Sequence, residues 1–166
     1  ETPWGVGEYL RLSRDHGLPR IASIQNAYNL LNRVFEIGLS EFALREDVGL
    51  LAYSPLAGGN LTGKYLGGTI PSGSRRDVAR QFVRYNLPNQ AIASARYVAI
   101  AHAFGLDPAQ MALAFVNSRA FVTSNIIGAT SMAQLKTDIA SINVTITPEL
   151  EKRINEIHVA HCNPCP

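Results

Sequence analysis

At 166 residues, 46% of them hydrophobic and 17% charged, the chain has the length and composition of one globular domain rather than of a disordered segment. Its 15 basic and 13 acidic residues nearly cancel, which argues against a nucleic-acid-binding or membrane-binding surface. No apolar run approaches the roughly 18 residues that a membrane helix needs, and no signal peptide is visible, so we expect a cytoplasmic protein.

The first part of the chain alternates predicted helices and strands. A helix begins at Pro3 and is closed by Gly17, with Val6, Tyr9 and Leu10 on its apolar face. Residues 21–25 form a predicted strand, residues 32–46 a helix and residues 48–53 a second strand. Short apolar runs of this kind are typical of parallel strands that are covered on both faces.

Residues 54–88 are rich in Gly, Pro, Ser and Arg and show neither strand nor helix periodicity. Loops of this length are commonly functional, and α/β proteins place their binding sites after strand ends. Because the segment follows a predicted strand directly, we predict that it covers a ligand.

The rest of the chain continues the alternation. We predict a helix over residues 89–105, a helix capped by Asp107, a strand over 122–127, a helix opened by a capping box of Ser131 and Gln134, and a last helix after Thr147. This order indicates an α/β fold with a parallel sheet. A complete eight-stranded barrel needs about 250 residues, so a chain with three predicted strands cannot be one.

Four runs in collinear order carry a family resemblance: IQNAYNLLNR at 24–33, LAYSPLAGG at 51–59, LTGKY at 61–65 and IGATSMAQL at 127–135. With them the chain resembles the aldo-keto reductase family, most of all its bacterial Tas-like branch. The resemblance implies a (β/α)8 TIM barrel that binds NADP(H) at the carboxyl ends of its strands. It implies that residues 1–166 are the carboxyl-terminal half of such a barrel, a single partial domain with a cofactor-covering loop at about 54–88.

The resemblance assigns the nicotinamide end of the cofactor to two residues. Gln25 would hydrogen-bond the nicotinamide carboxamide, because an amide both donates and accepts, and Tyr53 would stack on the nicotinamide ring. Without the resemblance, an ordinary packing role for either side chain is an open alternative. The turn that passes the pyrophosphate is matched by Ser54, Leu56, Gly58 and Gly59.

The same resemblance assigns Lys64 and Arg75 to the phosphates, although lone loop cations are more often merely solvated. The adenosine end is matched by Gly128, Thr130, Ser131 and Gln134, of which the last two also suit a helix cap. Asp138 stands where the family often has Asn, and a carboxylate cannot donate to adenine. The resemblance implies NADP(H), but many members carry Arg or Lys near Thr130 to bind the 2′-phosphate. This chain has Thr130 and Ser131 there, so NAD(H) stays open.

The family's catalytic Asp, Tyr, Lys and His lie on earlier strands, so the resemblance implies no catalytic residue here. The parent protein would reduce a small aldehyde or ketone by hydride transfer, and this chain would be inactive alone. The alternative is a non-catalytic association or cofactor-sensing module. Because an opened barrel exposes strand edges, we also expect binding to the missing amino-terminal half or self-association.

The carboxyl-terminal tail offers ligand types that suit zinc, in the spacing H-x2-H-C-x2-C: His158, His161, Cys162 and Cys165. However, the proline-rich end is typical of a frayed terminus. We therefore predict no metal site, and the two cysteines predict no disulfide framework.

Overall fold

The computed structural model describes residues 1–79 and 84–165. Helices and strands follow one another in the order α1 (Pro3–His16), β1 (Ser23–Ala27), α2 (Leu39–Arg45), β2 (Gly49–Tyr53), α3 (Arg75–Val78), α4 (Pro88–Ala103), α5 (Pro108–Asn117), β3 (Val122–Ile126), α6 (Met132–Ala140) and α7 (Pro148–Ala160). Short 3₁₀ turns occupy Val34–Glu36, Ala57–Thr62, Leu66–Gly68 and Ser141–Asn143.

Three helices begin with the same local device, a polar cap followed by proline at the first helical position. Thr2, Asp107 and Thr147 each accept a hydrogen bond through the side chain from the backbone N–H three residues on, at 3.0–3.2 Å. The proline that follows has no N–H to leave unsatisfied, and its fixed φ suits the first turn. The sequence predicted these starts for α1, α5 and α7, and the structure confirms them.

The sheet has three parallel strands in the order β1-β2-β3, so β2 is central. A bulge at Thr123 breaks the register between β2 and β3. A Cβ at Gly49 would overlap the Thr123 hydroxyl, which explains the glycine in β2. The predicted α/β architecture, a parallel sheet with covering helices as in part of a TIM barrel, is confirmed.

One hydrophobic core lies between the sheet and the helices. Ile24, Leu50 and Ala52 point to the helices and are buried. Helix α5 is buried along most of its length, from Pro108 to Val116, because it packs under the sheet. The opposite face of the sheet is more open, with Gln25 and Ser124 exposed.

A polar cluster of Tyr28, Arg33, Glu36 and Asn155 joins the segment after β1 to α7. Arg33 is only 8% exposed and donates to both carboxylate oxygens of Glu36 at 2.8 and 2.9 Å. It also donates to Asn155 Oδ1 at 2.8 Å, and the Tyr28 hydroxyl donates to Glu36. Burial raises the pKa of Glu36, but its bonds from Arg33 and Tyr28 outweigh burial and leave it below the usual value.

The predicted helix over residues 32–46 is wrong as a single element. Asn29 and Asn32 instead form an antiparallel bridge, a 3₁₀ turn follows, and α2 begins only at Leu39. Gly38 adopts φ 87°, a left-handed conformation that ends one segment and starts the next. The strand predicted at 21–25 is displaced by two residues, to Ser23–Ala27.

Tyr9, predicted on the apolar face of the first helix, is exposed at 56%. In α1 the buried positions are Gly5, Val6, Leu10 and Ser13, a stripe too narrow to include Tyr9.

The expectation of a frayed terminus is also wrong. Cys165 is fully buried and its N–H donates to the Leu31 carbonyl at 3.1 Å. Asn163 Oδ1 accepts from the Arg33 N–H at 2.7 Å, so the tail packs back onto the core.

No single helix among the described residues is long and apolar enough to cross a membrane. Only α4 and α5 taken together reach that length and hydrophobicity, and they meet at a bend of 96°.

Candidate nicotinamide cofactor site

The carboxyl ends of the three strands meet at one edge of the sheet. Ala27, Tyr53 and Ile126 are register partners and form the last row of the sheet. Gln25 pairs with Leu51, so it lies on the same open face as Tyr53, one pleat earlier. The prediction placed Gln25 at the end of its strand, whereas it lies in the middle of β1, because the strand runs two residues further.

Tyr53 is fixed at this edge by an arginine from the far end of the long loop. Arg84 Nη1 donates to the Tyr53 hydroxyl at 2.9 Å, and its guanidinium carbon lies 5.7 Å from the ring centroid. This hydrogen bond is the main reason why the pKa of Arg84 is raised. The ring that is predicted to stack on nicotinamide is therefore held by its polar end.

The turn after β2 has an unusual backbone. Ser54, Ala57, Gly58 and Gly59 all have positive φ, between 50° and 96°. Non-glycine residues adopt this conformation at a cost and only when the surroundings hold them there. The Ser54 carbonyl accepts from Asn29 Nδ2 and from the Ala57 N–H, both at 2.9 Å, which holds the turn.

The predicted pyrophosphate residues form this turn, with one restriction. The N–H of Gly59 donates to the Leu56 carbonyl at 2.9 Å and is not available to a phosphate. The absence of a side chain at Gly59 matters more, because a Cβ there would lie 2.8 Å from Lys64 Cε. Lys64 is exposed and its ammonium lies over the Tyr65 ring, 5.2 Å from the centroid.

Two adjacent arginines begin α3 and have different environments. Arg75, the predicted phosphate contact, is exposed. Arg76 is half-buried, lies 4.5 Å from the Tyr65 ring centroid, and donates to Asn60 Oδ1 at 2.6 Å and to Gln90 Oε1 at 3.2 Å. Arg76 therefore connects the long loop to α4, while Arg75 remains on the surface.

The predicted adenosine residues follow β3 and are exposed: Gly128, Thr130, Ser131 and Gln134. Ser131 Oγ accepts from the Gln134 N–H at 3.3 Å, as a helix cap should. The return bond of the predicted capping box is absent, because Gln134 Oε1 accepts from the N–H and hydroxyl of Thr130 instead. The side chains of Thr130 and Gln134 thus order the turn that leads into α6.

Asp138 lies two turns into α6 and is buried at 6% exposure. Burial, followed by the nearby carboxylate of Asp107, raises its pKa. Its predicted role at adenine remains a prediction.

The sequence did not predict the residues whose hydrogen bonds hold Tyr53 and the turn after β2 in place. Asn29 is fully buried and donates to the Ser54 carbonyl and to the Tyr85 hydroxyl, at 2.9 and 3.2 Å. Arg84 and Tyr85 lie near the end of the long loop, 31 and 32 positions after Tyr53, and only their contacts reveal them. No local pattern would have singled them out.

The tail does not assemble the metal ligands that its spacing suggested. Within residues 1–79 and 84–165, no group of three or more His, Cys, Asp or Glu side chains could hold a metal ion. His158 Nδ1 and His161 Nε2 are buried and have no hydrogen-bond partner in the part of the chain that the structure describes.

The residues on this face and at its edge are of the chemical types that a dinucleotide requires. Tyr53 offers a fixed aromatic surface and Gln25 an exposed amide on the same face of the sheet. A Cβ built at Gly128 would meet nothing within 4 Å, so the space beside β3 is open to a ligand. Exposed Lys64 and Arg75 provide positive charge on the long loop.

Comparison with known proteins agrees with this arrangement. The sequence model of the Aldo/keto reductase family matches residues 2–159. The chain is 49% identical to Protein tas of Escherichia coli K12 over 166 residues, which is 100% of this chain and 48% of that protein. It is 37% identical to an aldo-keto reductase of Babesia bovis over 166 residues, covering 95% of this chain and 58% of the relative.

A third relative is the L-glyceraldehyde 3-phosphate reductase of Escherichia coli K12, 36% identical over 148 residues, covering 86% of this chain and 42% of the enzyme. The chain thus spans about half the length of the curated relatives that it matches. With a family match over nearly all its residues and a sheet of parallel strands covered by helices, the chain belongs to the aldo/keto reductase family.

Proposed function

We propose that the chain supplies the cofactor-binding part of an NADP(H)-dependent reductase that converts an aldehyde or ketone to an alcohol. The observation that carries the proposal is that Gln25 and Tyr53 lie on the same open face of the sheet, with the turn after β2 following Tyr53 directly. The segment after β3, from Gly128 to Gln134, begins at the same edge.

In this proposal the cofactor supplies a hydride when bound, and the chain binds and orients it. Tyr53 stacks on the nicotinamide ring and sets which face is presented, while Arg84 holds the Tyr53 hydroxyl. Gln25 fixes the rotation of the carboxamide by donating and accepting hydrogen bonds. Lys64 and Arg75 attract the phosphates.

We assign the proton donor to a part of the barrel outside this chain. By family resemblance, the catalytic Asp, Tyr, Lys and His belong to earlier strands than β1. The chain alone is then expected to bind the cofactor without reducing a carbonyl compound. The name of one relative specifies a phosphorylated aldehyde, and we extend only the carbonyl class to this protein.

The partner of this chain is proposed to be the missing part of the barrel or a second copy. Large apolar side chains are exposed along β3, α6 and the turn after it: Ile126, Met132, Ile139 and Ile142, at 40–72%. A run of exposed apolar residues beside a sheet edge favours association. This surface also supports the alternative function, an association module that senses the cofactor without catalysis.

The first test is NADPH titration of the 166-residue chain, followed by the emission of the bound nicotinamide. Tyr53→Ala is expected to weaken binding about tenfold, because an aromatic stacking surface is lost. Tyr9→Ala is the matched control, since Tyr9 is an exposed tyrosine on α1. Equal affinity of the Tyr53→Ala variant and the unaltered chain would refute the assignment of the edge.

A second test separates binding from catalysis. The chain is incubated with NADPH and a panel of aldehydes, and absorbance of the cofactor is followed. No turnover is expected. Steady turnover that persists in repurified protein would overturn the assignment of the proton donor to another part of the barrel.

A further inference from the structure

A cavity with a volume of about 660 Å³ lies between the long loop and α4. Its polar wall contains Asn60, Arg76, Gln90 and Ser94, and its apolar wall includes Tyr65 and Leu87. Sites for small molecules commonly have volumes of about 300–1,000 Å³ and combine apolar walls with a few fixed polar groups. This cavity has both properties.

Hydrogen bonds fix the orientation of the side chains in the polar wall. Gln90 and Ser94 are 4% and 1% exposed, and Gln90 Nε2 donates to Ser94 Oγ at 2.8 Å. Asn60 Nδ2 donates to the carbonyls of Ala57 and Tyr85. Because both amide nitrogens are committed elsewhere, both amide oxygens face Arg76.

Arg76 brings a positive charge to this wall without a carboxylate partner among the described residues. Among residues 1–79 and 84–165, its Nη2 donates only to the two neutral amide oxygens, and its buried Nε has no hydrogen-bond partner. Arg76 is also the one charged residue among the described residues that line the cavity, and residues 80–83 contain no Asp or Glu. A cation bonded only to neutral oxygens favours an anionic ligand.

The cavity is separate from the edge where the three strands end. The described residues that line it come from the long loop and the first half of α4. They include neither Gln25 and Tyr53 nor any residue from 128 to 138. A ligand here would therefore not compete with one on the open face of the sheet.

We propose that this cavity binds a small organic acid, with its carboxylate against Arg76 and its apolar body against Tyr65 and Leu87. The planar guanidinium suits a carboxylate, and the amides of Asn60 and Gln90 hold it in position. The proposal does not depend on the function of the sheet edge, since a carboxylate can bind here whether or not NADPH binds there.

The test uses benzoate as the probe and benzamide as its uncharged counterpart of the same shape. Binding to the 166-residue chain is followed by two-dimensional ¹H–¹⁵N NMR of the arginine Nε–H and side-chain amide signals. Benzoate is expected to shift the signals of Arg76 and Gln90 in a saturable manner, and to do so equally with NADPH present. Benzamide is expected to bind about tenfold more weakly, because the charge-assisted contact is lost.

Two variants test the location. Arg76→Gln removes the charge, and Ala91→Phe fills the cavity from an exposed position on α4 without altering Arg76. Each is expected to weaken benzoate about tenfold or more. Ala99→Phe is the control, because Ala99 is exposed on the same helix but does not line the cavity.

Four results would overturn the proposal: no saturable shift with benzoate, equal binding of benzamide, unchanged affinity in Ala91→Phe, or displacement of benzoate by NADPH. Displacement by NADPH would mean that benzoate binds where the strands end, at the candidate cofactor site, and not in this cavity. If Arg76→Gln fails to fold, the Ala91→Phe and benzamide comparisons still decide the question.

Discussion

Replacement of Arg33 by methionine is expected to destabilise the fold by about 3 kcal/mol, the lower end of the range for breaking a buried ion pair. The side chain is 8% exposed and makes three hydrogen bonds, two to Glu36 and one to Asn155, at 2.8–2.9 Å. Its guanidinium carbon also lies 5.1 Å from the Phe115 ring centroid. Methionine is similar in length to arginine but carries no charge. Because Glu36 is partly exposed, solvent can compensate its charge, and the expected loss is at the lower end of the range for a buried ion pair.

The assay is urea unfolding at neutral pH, followed by circular dichroism. With a dependence on urea of about 2 kcal/mol per molar, the midpoint should fall by about 1.5 M. Arg45→Met is the control, because the Arg45–Glu41 pair at 2.7 Å is exposed on both sides. Exposed pairs contribute about 1 kcal/mol or less.

Acid provides an independent check on the same pair. The pKa of Glu36 is lowered in the folded chain, so its contribution to stability is present above the unfolded value of about 4.3 and is lost as the pH falls through the folded value. The difference in stability between wild type and Arg33→Met should therefore narrow in acid. A loss below about 1 kcal/mol at neutral pH, equal to the exposed control, would refute the reasoning.

Three further results are expected. Asp107→Ala should remove the cap of α5, at a cost of about 1 kcal/mol measured by urea unfolding, and should lower the pKa of Asp138 in a carboxyl NMR titration. Asp107→Asn keeps a capping side chain, so it should lower only the pKa of Asp138. An unchanged pKa in both variants would contradict the electrostatic contact between Asp107 and Asp138. Burial and the nearby guanidinium of Arg33 lower the pKa of His158, so the free energy of unfolding should decrease as the pH drops below about 6.5. If a His158→Gln variant loses the same stability over this pH range, His158 is not the cause of the loss. Native protein should be alkylated at exposed Cys162 alone, since Cys165 is fully buried with its pKa raised by burial to about 11; two adducts at similar rates by mass spectrometry would contradict the packed tail.

Local features of the fold were accessible from the sequence. The polar-proline pairs fixed the starts of α1, α5 and α7, because a cap depends only on residues a few positions apart. The three apolar runs located the strands to within two residues. Prediction failed over residues 32–46, where a periodic pattern is divided at Gly38 by packing around Arg33 and Glu36.

The candidate site divides in the same way. The sequence correctly predicted that Tyr53 and the turn with Gly58 and Gly59 lie at a strand end, and their contact with a cofactor stays a prediction. The contact between Arg84 and Tyr53 joins residues 31 positions apart, and no local pattern predicts it. The sequence likewise gives no reason to distinguish Arg75 from its neighbour Arg76.

The sequence by itself determined the fold class, the family and the order of the three strands and the longer helices, because caps, periodicity and motifs depend on neighbouring residues. Only the tertiary structure decided that the tail is packed through Cys165, that Arg84 holds Tyr53, and that Arg76 lines a cavity without an acidic partner. These contacts join distant parts of the chain, so they are set by how the helices and the long loop pack against the sheet.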